Sequence, residues 1–313
     1  MEPCGQIHRR KLYDLMSTPT VTIKVGIATA GRREALKKTL IELGHQTRPA
    51  DEVLICPASS ADCDETGLSG LPYPCRIVRG ARGLTAQRNA ILDACGDCDI
   101  IVFFDDDFYP APSYLDNIVK LFQLHPQIAG ATGRVLADGS VTWGVPHSEA
   151  VSVIQRFDAE SADATPIDTY ALYGCNMALR ARLVKDNGLR FDERLPLYGW
   201  LEDIDLTRRL SRYGRLVRAV NAAGVHLAVK NGRSSGVRLG YSQIANPWYL
   251  LRKGTLDPKL AIVQVSRNIA ANLFHSLRPE PWVDRRGRLR GNALAALHLV
   301  TGRIDPGRIL HLS

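Results

Sequence analysis

The sequence predicts an α/β fold in which helices flank a mixed, mostly parallel sheet, followed by a helical appendage at the C-terminus. Strand-like and helix-like apolar patterns alternate from residue 21, and such alternation is typical of parallel strands joined by right-handed crossovers. Beyond Leu250 the apolar positions recur at helical spacing. The chain of 313 residues, 45% hydrophobic and 23% charged, has enough apolar material for a sizeable core.

The predicted elements follow one another from residue 21. Residues 21–29 are β-branched and apolar, as in a buried strand, and residues 32–46 place Leu36, Leu40 and Leu43 on one helical face. Further strands are predicted at 52–56, 75–79, 99–104 and 215–220, and helices at 84–95, 202–213, 260–273 and 294–300.

Three consecutive carboxylates, Asp105, Asp106 and Asp107, follow the apolar run 100–104. Ligands bind beyond the carboxyl ends of the strands in open sheets of this type, so the triplet lies where a ligand is expected. Adjacent carboxylates repel one another, and Mg²⁺ or Mn²⁺, which favour oxygen ligands, would offset that repulsion. Asp105 and Asp107 face the same way in an extended segment. The alternative is that these acids are solvated turn residues.

A second acidic group, Glu202, Asp203 and Asp205, begins the helix predicted at 202–213. Leu206 and Leu210 form the buried face of this helix because they lie four residues apart. Acids in a first helical turn are favoured by the helix dipole alone, so this group has a purely structural interpretation as well.

The N-terminus lacks the apolar core of a secretory signal, so export by that route is not expected. No window reaches the roughly 18 uninterrupted apolar residues that a membrane span needs. Seven scattered cysteines favour a reduced, cytoplasmic setting. Residues 278–313 contain seven arginines, no lysine and three acids, which leaves half of the chain's net charge of +8 there. This basic segment would attract anionic lipid or nucleic acid, or is a solvated face.

Several short motifs, in this order, resemble the family-2 inverting glycosyltransferases, which have the GT-A fold, a Rossmann-like sheet. They are Gly26-Ile-Ala-Thr-Ala-Gly-Arg32, Ala86-Gln-Arg88-Asn89, Phe103-Phe-Asp-Asp-Asp107, Tyr173-Gly-Cys-Asn-Met-Ala-Leu-Arg180, Phe191-Asp-Glu-Arg and Gly199-Trp-Leu-Glu-Asp-Ile-Asp-Leu206. The resemblance covers roughly residues 21–253. It departs from the family pattern at residues 54–59, where an Asp-rich segment that contacts the nucleobase is often found and no acid is present.

The resemblance implies a division of the chain. Residues 1–20 are an N-terminal extension, residues 21–253 the catalytic domain, and residues 254–313 a basic helical region. Within the catalytic domain, residues 21–110 bind the nucleotide-sugar and residues 111–253 bind the acceptor. A metal-dependent transfer is implied, with Mn²⁺ or Mg²⁺ as cofactor, a nucleotide-sugar as donor and a saccharide or lipid-linked saccharide as acceptor. Among donors a UDP-sugar comes first.

The resemblance also implies roles for the two acidic groups. Asp105 contacts the donor ribose and the metal, Asp107 holds the metal, and Asp106 supports either function. Asp203 is the general base that takes the proton of the acceptor hydroxyl, since a carboxylate within hydrogen-bond reach suffices for this step. A single base on the acceptor side of the sugar gives inversion at the anomeric carbon. Two carboxylates flanking the glycosidic bond would instead suit a hydrolase.

Further residues are candidates with a structural alternative. His226 completes the metal site or is a packed residue in an apolar run. Arg32 and Arg88 pair with the donor's phosphates, since guanidinium forms two hydrogen bonds with phosphate oxygens, or stack near its base, or are ordinary arginines of a basic protein. Thr29, at the end of the first strand, is a further candidate for donor binding. Trp200 is a platform for the acceptor sugar, with Glu202 beside it, or caps the core.

Two other functions remain open at this point: a sugar nucleotidyltransferase on a related fold, and a silent scaffold that binds carbohydrate or nucleic acid. A nucleotidyltransferase should carry a Gly-rich basic loop after the first strand, and residues 28–33 are only a thin version of one. A nucleic-acid partner is not expected, because the basic tail has only Trp282 as an aromatic. The predicted location is the cytoplasm, with peripheral contact on the inner face of an anionic membrane as an option. Bacterial surface polysaccharide or glycolipid synthesis is the default pathway.

Overall fold

The computed structural model describes residues 21–157, 165–230 and 235–313. The predicted extension at residues 1–20 lies outside these ranges. Within them the chain forms one large sheet with helices on both faces, and a group of C-terminal helices beside it.

The sheet contains both parallel and antiparallel strands. Its members are β1 (Ile23–Thr29), β2 (Glu52–Pro57), β3 (Cys75–Ile77), β4 (Ile100–Asp105), β5 (Phe108–Pro110), β6 (Ile128–Asp138), β7 (Ile167–Asp168), β8 (Asn176–Arg180) and β9 (Arg215–His226). Their order is β3-β2-β1-β4-β8-β6-β9-β5, with β7 on β9. Strands β3, β2, β1 and β4 are parallel, and β8 is antiparallel to both β4 and β6. The predicted mixed, mostly parallel sheet is confirmed.

Helices cover both faces of this sheet, and the last three form the C-terminal group beside it. They are α1 (Arg33–Leu43), α2 (Leu84–Ala94), α3 (Tyr114–Leu124), α4 (His147–Arg156), α5 (Ala181–Asp186), α6 (Glu202–Leu210), α7 (Gly236–Lys253), α8 (Pro258–His275) and α9 (Arg285–Val300). Strand β4 explains why both faces need cover. Its residues alternate between two apolar clusters, with Ile100, Val102 and Phe104 in one and Ile101 and Phe103 in the other, all 1% exposed or less.

Several predicted elements are longer in the structure, among them the helix predicted at 294–300, which begins at Arg285. The strand predicted at 215–220 continues to His226, because its second half pairs with β5 and with the end of β6. The helix α7 begins at Gly236, well before the helical pattern noted beyond Leu250, and it carries Pro247 in its interior. The division of the chain at residue 253 stays a prediction.

Helices α7 and α9 approach each other closely at a glycine on each helix. A Cβ on Gly240 would lie 2.0 Å from the carbonyl oxygen of Arg288, and one on Gly291 would lie 2.1 Å from that of Val237. Only glycine fits at these contacts, so the two helices are joined tightly. Within the described ranges, no helix has the length and apolar character needed to cross a membrane.

Candidate active site

The acidic triplet lies at the carboxyl edge of the sheet, where β4 ends beside β1. Thr29, the last residue of β1, donates a hydrogen bond of 2.6 Å from its hydroxyl to Asp106 Oδ2. Arg32 Nη1 lies 3.0 Å from Asp106 Oδ1 and 3.2 Å from Asp107 Oδ2. Although burial opposes a charge there, these carboxylates raise the pKa of Arg32 above its usual value. The fold therefore brings together Thr29, Arg32 and the acidic triplet, all of which are candidate site residues from the sequence.

Asp107 is fully buried, and its two carboxylate oxygens have different surroundings. Oδ2 accepts a hydrogen bond of 2.7 Å from the backbone N–H of Val229. Oδ1 is buried without a hydrogen-bond partner among the described residues, and it lies 3.5 Å from His226 Nε2. A buried carboxylate oxygen without a partner is costly, so this position suits a cation.

Asp105, Asp107 and His226 each direct one ligand atom to this point, and the three atoms lie within 4.8 Å of one another. The last residue of β9 is His226, which brings the imidazole to the same sheet edge as Asp105. Two carboxylate oxygens and one imidazole nitrogen suit Mn²⁺ or Mg²⁺ better than a thiol-seeking metal. The residues present therefore fit a divalent ion.

Asp138 is a site residue that the sequence analysis missed. Its Oδ1 lies 3.0 Å from His226 Nδ1, on the side of the ring that faces away from Asp107. Tyr173 donates a hydrogen bond of 3.0 Å from its hydroxyl to Asp138 Oδ2. Burial opposes both charges, but Asp107 and Asp138 raise the pKa of His226 to about 10, and His226 holds the pKa of Asp138 well below its usual range. The signal was available, since Asp138 ends a strand-like run just as Asp105 does.

Arg88 is 1% exposed and bridges the two acidic groups. Its guanidinium donates three hydrogen bonds: one of 2.6 Å to Glu202 Oε1, one of 2.9 Å to Asp105 Oδ1 and one of 2.7 Å to the carbonyl oxygen of Gly174. The same guanidinium lies 5.4 Å from the ring centroid of Phe191. All these contacts are within the protein, so Arg88 holds Asp105 and Glu202 at a fixed separation.

Asp203 lies in the first turn of α6, half-buried, on the other side of Arg88. Its Oδ2 accepts a hydrogen bond of 2.9 Å from the N–H of Gly174, and its Oδ1 accepts one of 2.8 Å from the N–H of Ile204. A Cβ on Gly174 would lie 3.1 Å from Asp203 Oδ2, so glycine permits this close approach. Leu201, just before α6, has φ of 74°, an uncommon value for leucine that tends to occur at functional sites.

The two neighbouring carboxyls of α6 are harder to ionise than exposed ones. Burial, followed by the charge of Asp203, raises the pKa of Glu202 to about 8, although Arg88 acts in the other direction. Burial also raises the pKa of Asp203, while the hydrogen bonds from the N–H groups of Gly174 and Ile204 partly offset it. Both groups keep a proton to higher pH than ordinary carboxyls do.

A cleft of about 220 Å³ opens beside the triplet. Three arginines line it: the predicted Arg32, and Arg82 and Arg238, which the sequence analysis did not single out. Arg238 lies in the first turn of α7, so this C-terminal helix contributes to the cleft. Arginines at the mouth of a cleft suit an anionic ligand with several oxygens.

Two further residues have clear surroundings. Trp200 is half-buried and packs against an apolar cluster that includes Leu250 of α7, and its carbonyl oxygen accepts 2.8 Å from Asn246. Its role in acceptor binding stays a prediction. Asp62 lies just after residues 54–59, where the family often has an acid that contacts the nucleobase. It accepts a hydrogen bond of 2.7 Å from the N–H of Gly31 and one of 2.8 Å from the hydroxyl of Ser59. Asp62 therefore stabilises the turn after β1.

The family model described as Glycosyl transferase family 2 matches residues 24–188, more than half of the chain. The protein is a family 2 glycosyltransferase. The matched segment contains β1, the acidic triplet and β8. No curated protein matches this glycosyltransferase.

Solved structures agree with the GT-A fold of this glycosyltransferase. S. aureus TarS residues 1–349 in complex with UDP-GlcNAc has 15% identity and a TM-score of 0.55, with 92% of this chain and 90% of that chain covered. The mannosyltransferase PcManGT from Pyrobaculum calidifontis in complex with GDP-Man and Mn²⁺ has 14% identity and a TM-score of 0.51, with 97% and 92% covered. At these identities the likeness concerns the fold alone.

Proposed function

We propose that this glycosyltransferase moves a sugar from a nucleotide-sugar to an acceptor hydroxyl, with a divalent metal ion and with inversion at the anomeric carbon. One observation carries the proposal. A buried oxygen of Asp107 that accepts no hydrogen bond from the described residues lies 3.5 Å from His226 and close to Asp105, and Arg88 connects Asp105 to the helix that carries Asp203. The acids are thus divided between a cation site and a separate base.

The arginine-lined cleft supports a nucleotide-sugar as donor. A nucleoside diphosphate carries several phosphate oxygens, and Arg32, Arg82 and Arg238 offer planar guanidinium groups at the cleft. Structures of similar fold are complexes with UDP-GlcNAc and GDP-Man. A UDP-sugar is the first donor to test, although residues 54–59 lack the acid that often contacts the nucleobase.

The proposed metal ligands are Asp105, Asp107 and His226. A bound Mn²⁺ or Mg²⁺ ion supplies neutralisation of the charge that develops on the leaving diphosphate. Asp105 is held for this role by Arg88, and Asp107 by Arg32 and the N–H of Val229. Asp106, bound to Thr29 and Arg32, fixes the turn that carries its two neighbours.

Asp203 is the proposed general base. Its two hydrogen bonds from backbone N–H groups fix the carboxylate. Each oxygen keeps a second lone pair, which can accept a hydrogen bond from the hydroxyl of the acceptor substrate. Glu202 points to Arg88 instead and positions it, so only one carboxylate serves the acceptor face. One base on that face supports direct displacement and inversion. The acceptor is proposed to be a saccharide or lipid-linked saccharide in bacterial polysaccharide or glycolipid synthesis.

The test measures donor binding and transfer separately. Calorimetry with UDP-, GDP-, dTDP- and CMP-sugars, with and without Mn²⁺ or Mg²⁺, is compared for the native protein and Asp107→Asn, which retains an oxygen for the Val229 N–H. We expect one donor to bind only with metal, and Asp107→Asn to lose that binding. Asp203→Asn should bind the donor normally and lose about 10²–10⁴-fold in turnover.

Asp168→Asn is the matched control, because Asp168 is exposed and pairs with Arg215 away from the cleft. It should leave both measurements unchanged. If no nucleotide-sugar binds under any condition, the proposal is wrong and a carbohydrate-binding scaffold becomes the better interpretation.

A further inference from the structure

The outer side of α8 carries large apolar residues that point into solvent. Ile262, Val263, Leu273, Phe274 and Leu277 are 65%, 51%, 59%, 75% and 82% exposed. The first four recur at the spacing of one helical face, and Leu277 follows the helix end on the same side. The opposite side of α8 holds the buried Ala261 and Asn272. We call the five exposed residues the α8 face. Several large apolar residues exposed on one side of a helix indicate an interaction site.

The charged residues within α8 and α9 are all basic, whereas the acids Asp257, Glu280 and Asp284 lie outside the two helices. Neither α8 nor α9 contains an acidic residue, and the bases on them include Lys259, Arg267, Arg286 and Arg290. All four are exposed. Arg286 Nε lies 3.3 Å from the carbonyl oxygen of Ser276, which places the beginning of α9 next to the end of α8. On α9, the exposed Leu297 and Val300 add apolar surface.

We propose that the α8 face docks the protein on a lipid bilayer containing anionic lipids. Apolar side chains enter the boundary between head groups and acyl chains, while the surrounding arginines and lysine lie among the anionic head groups. A single partner, the bilayer, thus accounts for both the exposed apolar residues and the absence of acids on α8 and α9.

A second copy of the chain fits this surface less well. A two-fold contact places the same patch of each copy against the other. The bases of α8 and α9 would then meet their own copies, with no acid on either helix to pair with them. Like charges at an interface cost free energy. A bilayer with anionic lipids offers the complementary charge.

The docking surface is joined rigidly to the rest of the protein. The close glycine contacts between α7 and α9 fix the helical group to the helix that carries Arg238 at the cleft. Trp282, in the segment between α8 and α9, contacts Trp143 with ring centroids 4.6 Å apart and ring planes tilted by 40°. Trp143 precedes Gly144, whose added Cβ would lie 3.0 Å from the carbonyl oxygen of Leu227, next to His226. Docking therefore sets the orientation of the cleft relative to the bilayer.

The test is co-sedimentation of the full chain with vesicles. Vesicles of phosphatidylcholine mixed with phosphatidylglycerol are compared with vesicles of phosphatidylcholine alone. We expect binding to the mixed vesicles, weakened by added NaCl because salt screens the charges. Replacing the apolar residues together, Leu273→Gln, Phe274→Gln and Leu277→Gln, should reduce binding at least about tenfold. Arg267→Gln with Arg290→Gln should reduce binding to the mixed vesicles and its dependence on salt.

The matched control is Ile41→Gln with Leu124→Gln, two exposed apolar residues on α1 and α3 that are 50% and 63% exposed. It should bind vesicles as the native chain does. Circular dichroism and donor binding check that every variant is folded, and donor binding also reports on the cleft independently of the bilayer.

Two results overturn the proposal. One is equal sedimentation of the native chain and the Leu273, Phe274 and Leu277 variant with mixed vesicles. The other is a native dimer, seen by light scattering, that becomes a monomer in that variant, since the α8 face would then be a contact between copies. Neither result touches the proposed transfer reaction, whose failure would appear in donor binding alone.

Discussion

The carboxyl edge of the sheet and the outer side of α8 violate the usual distribution of residues in opposite ways. At the sheet edge, charged groups such as Arg88 and Asp107 are buried. On α8, apolar groups such as Phe274 are exposed. Among the described residues the buried charges are paired with one another, but Asp107 Oδ1 accepts no hydrogen bond and only lies 3.5 Å from His226 Nε2, and this oxygen defines the cation site. No described residue covers the exposed apolar groups of α8, for which we propose a bilayer as the partner. Both deviations indicate function, but of different kinds.

The largest expected effect tests whether the buried charges depend on one another. Arg88→Met removes the guanidinium that binds Glu202, Asp105 and the carbonyl oxygen of Gly174. Removing one partner of a buried ion pair leaves an uncompensated charge and costs about 3–5 kcal/mol. We expect the free energy of unfolding, measured by urea denaturation, to fall by this amount.

The matched control for that experiment is Arg182→Met. Arg182 pairs with Asp186, and both side chains are more than half exposed. Exposed pairs contribute about 0–1 kcal/mol, so this variant should unfold almost as the native protein does. Equal effects of the two substitutions would mean that the charges at the sheet edge are solvated and do not form a preorganised site.

A smaller effect is expected where a residue acts only through another. Asp138→Asn keeps the shape of the side chain but removes the charge that holds His226 Nδ1. Partners of this kind orient a metal-binding histidine, and their loss costs about 10–100-fold in metal affinity. Titration calorimetry with Mn²⁺ measures the change. Asp116→Asn, at an exposed pair on α3, is the control, and equal affinity in both variants would refute the role of Asp138.

The pH dependence of transfer tests the proposed base. Burial raises the pKa of Asp203 above its usual value of 3.8. The base works only when it is deprotonated, so kcat/KM should fall as the pH decreases, by about tenfold per pH unit below the raised pKa. Donor binding by Asp203→Asn over the same pH range separates this effect from protonation of the metal ligands. An acid limb at the ordinary aspartate pKa would contradict the burial argument.

The sequence predicted the sheet edge better than it predicted the helical group. Asp105 and Asp107 follow a long apolar strand, which is a local signal, and the structure has them at the strand end. Asp138 and Arg238 lie far from the triplet in sequence and reach the site only through the pairing of β6 with β9 and the position of α7, and Arg82 reaches it from the segment before α2. Periodicity does not contain those long-range contacts. It also does not reveal which face of α8 is exposed, because the apolar residues lie on more than one side of that helix.

The smallest expected effect tests the other half of the comparison. Phe274→Gln replaces a ring that is 75% exposed, so the fold loses little packing. Substitutions at such surface positions change the free energy of unfolding by at most about 0.5 kcal/mol. Phe104→Ala, at a 1% exposed ring in the core, should cost about 3–5 kcal/mol by the same urea measurement. If Phe274→Gln destabilised the protein by a comparable amount, that ring would pack within the fold. The α8 face would then be part of the core, and the bilayer would have nothing apolar to bind there.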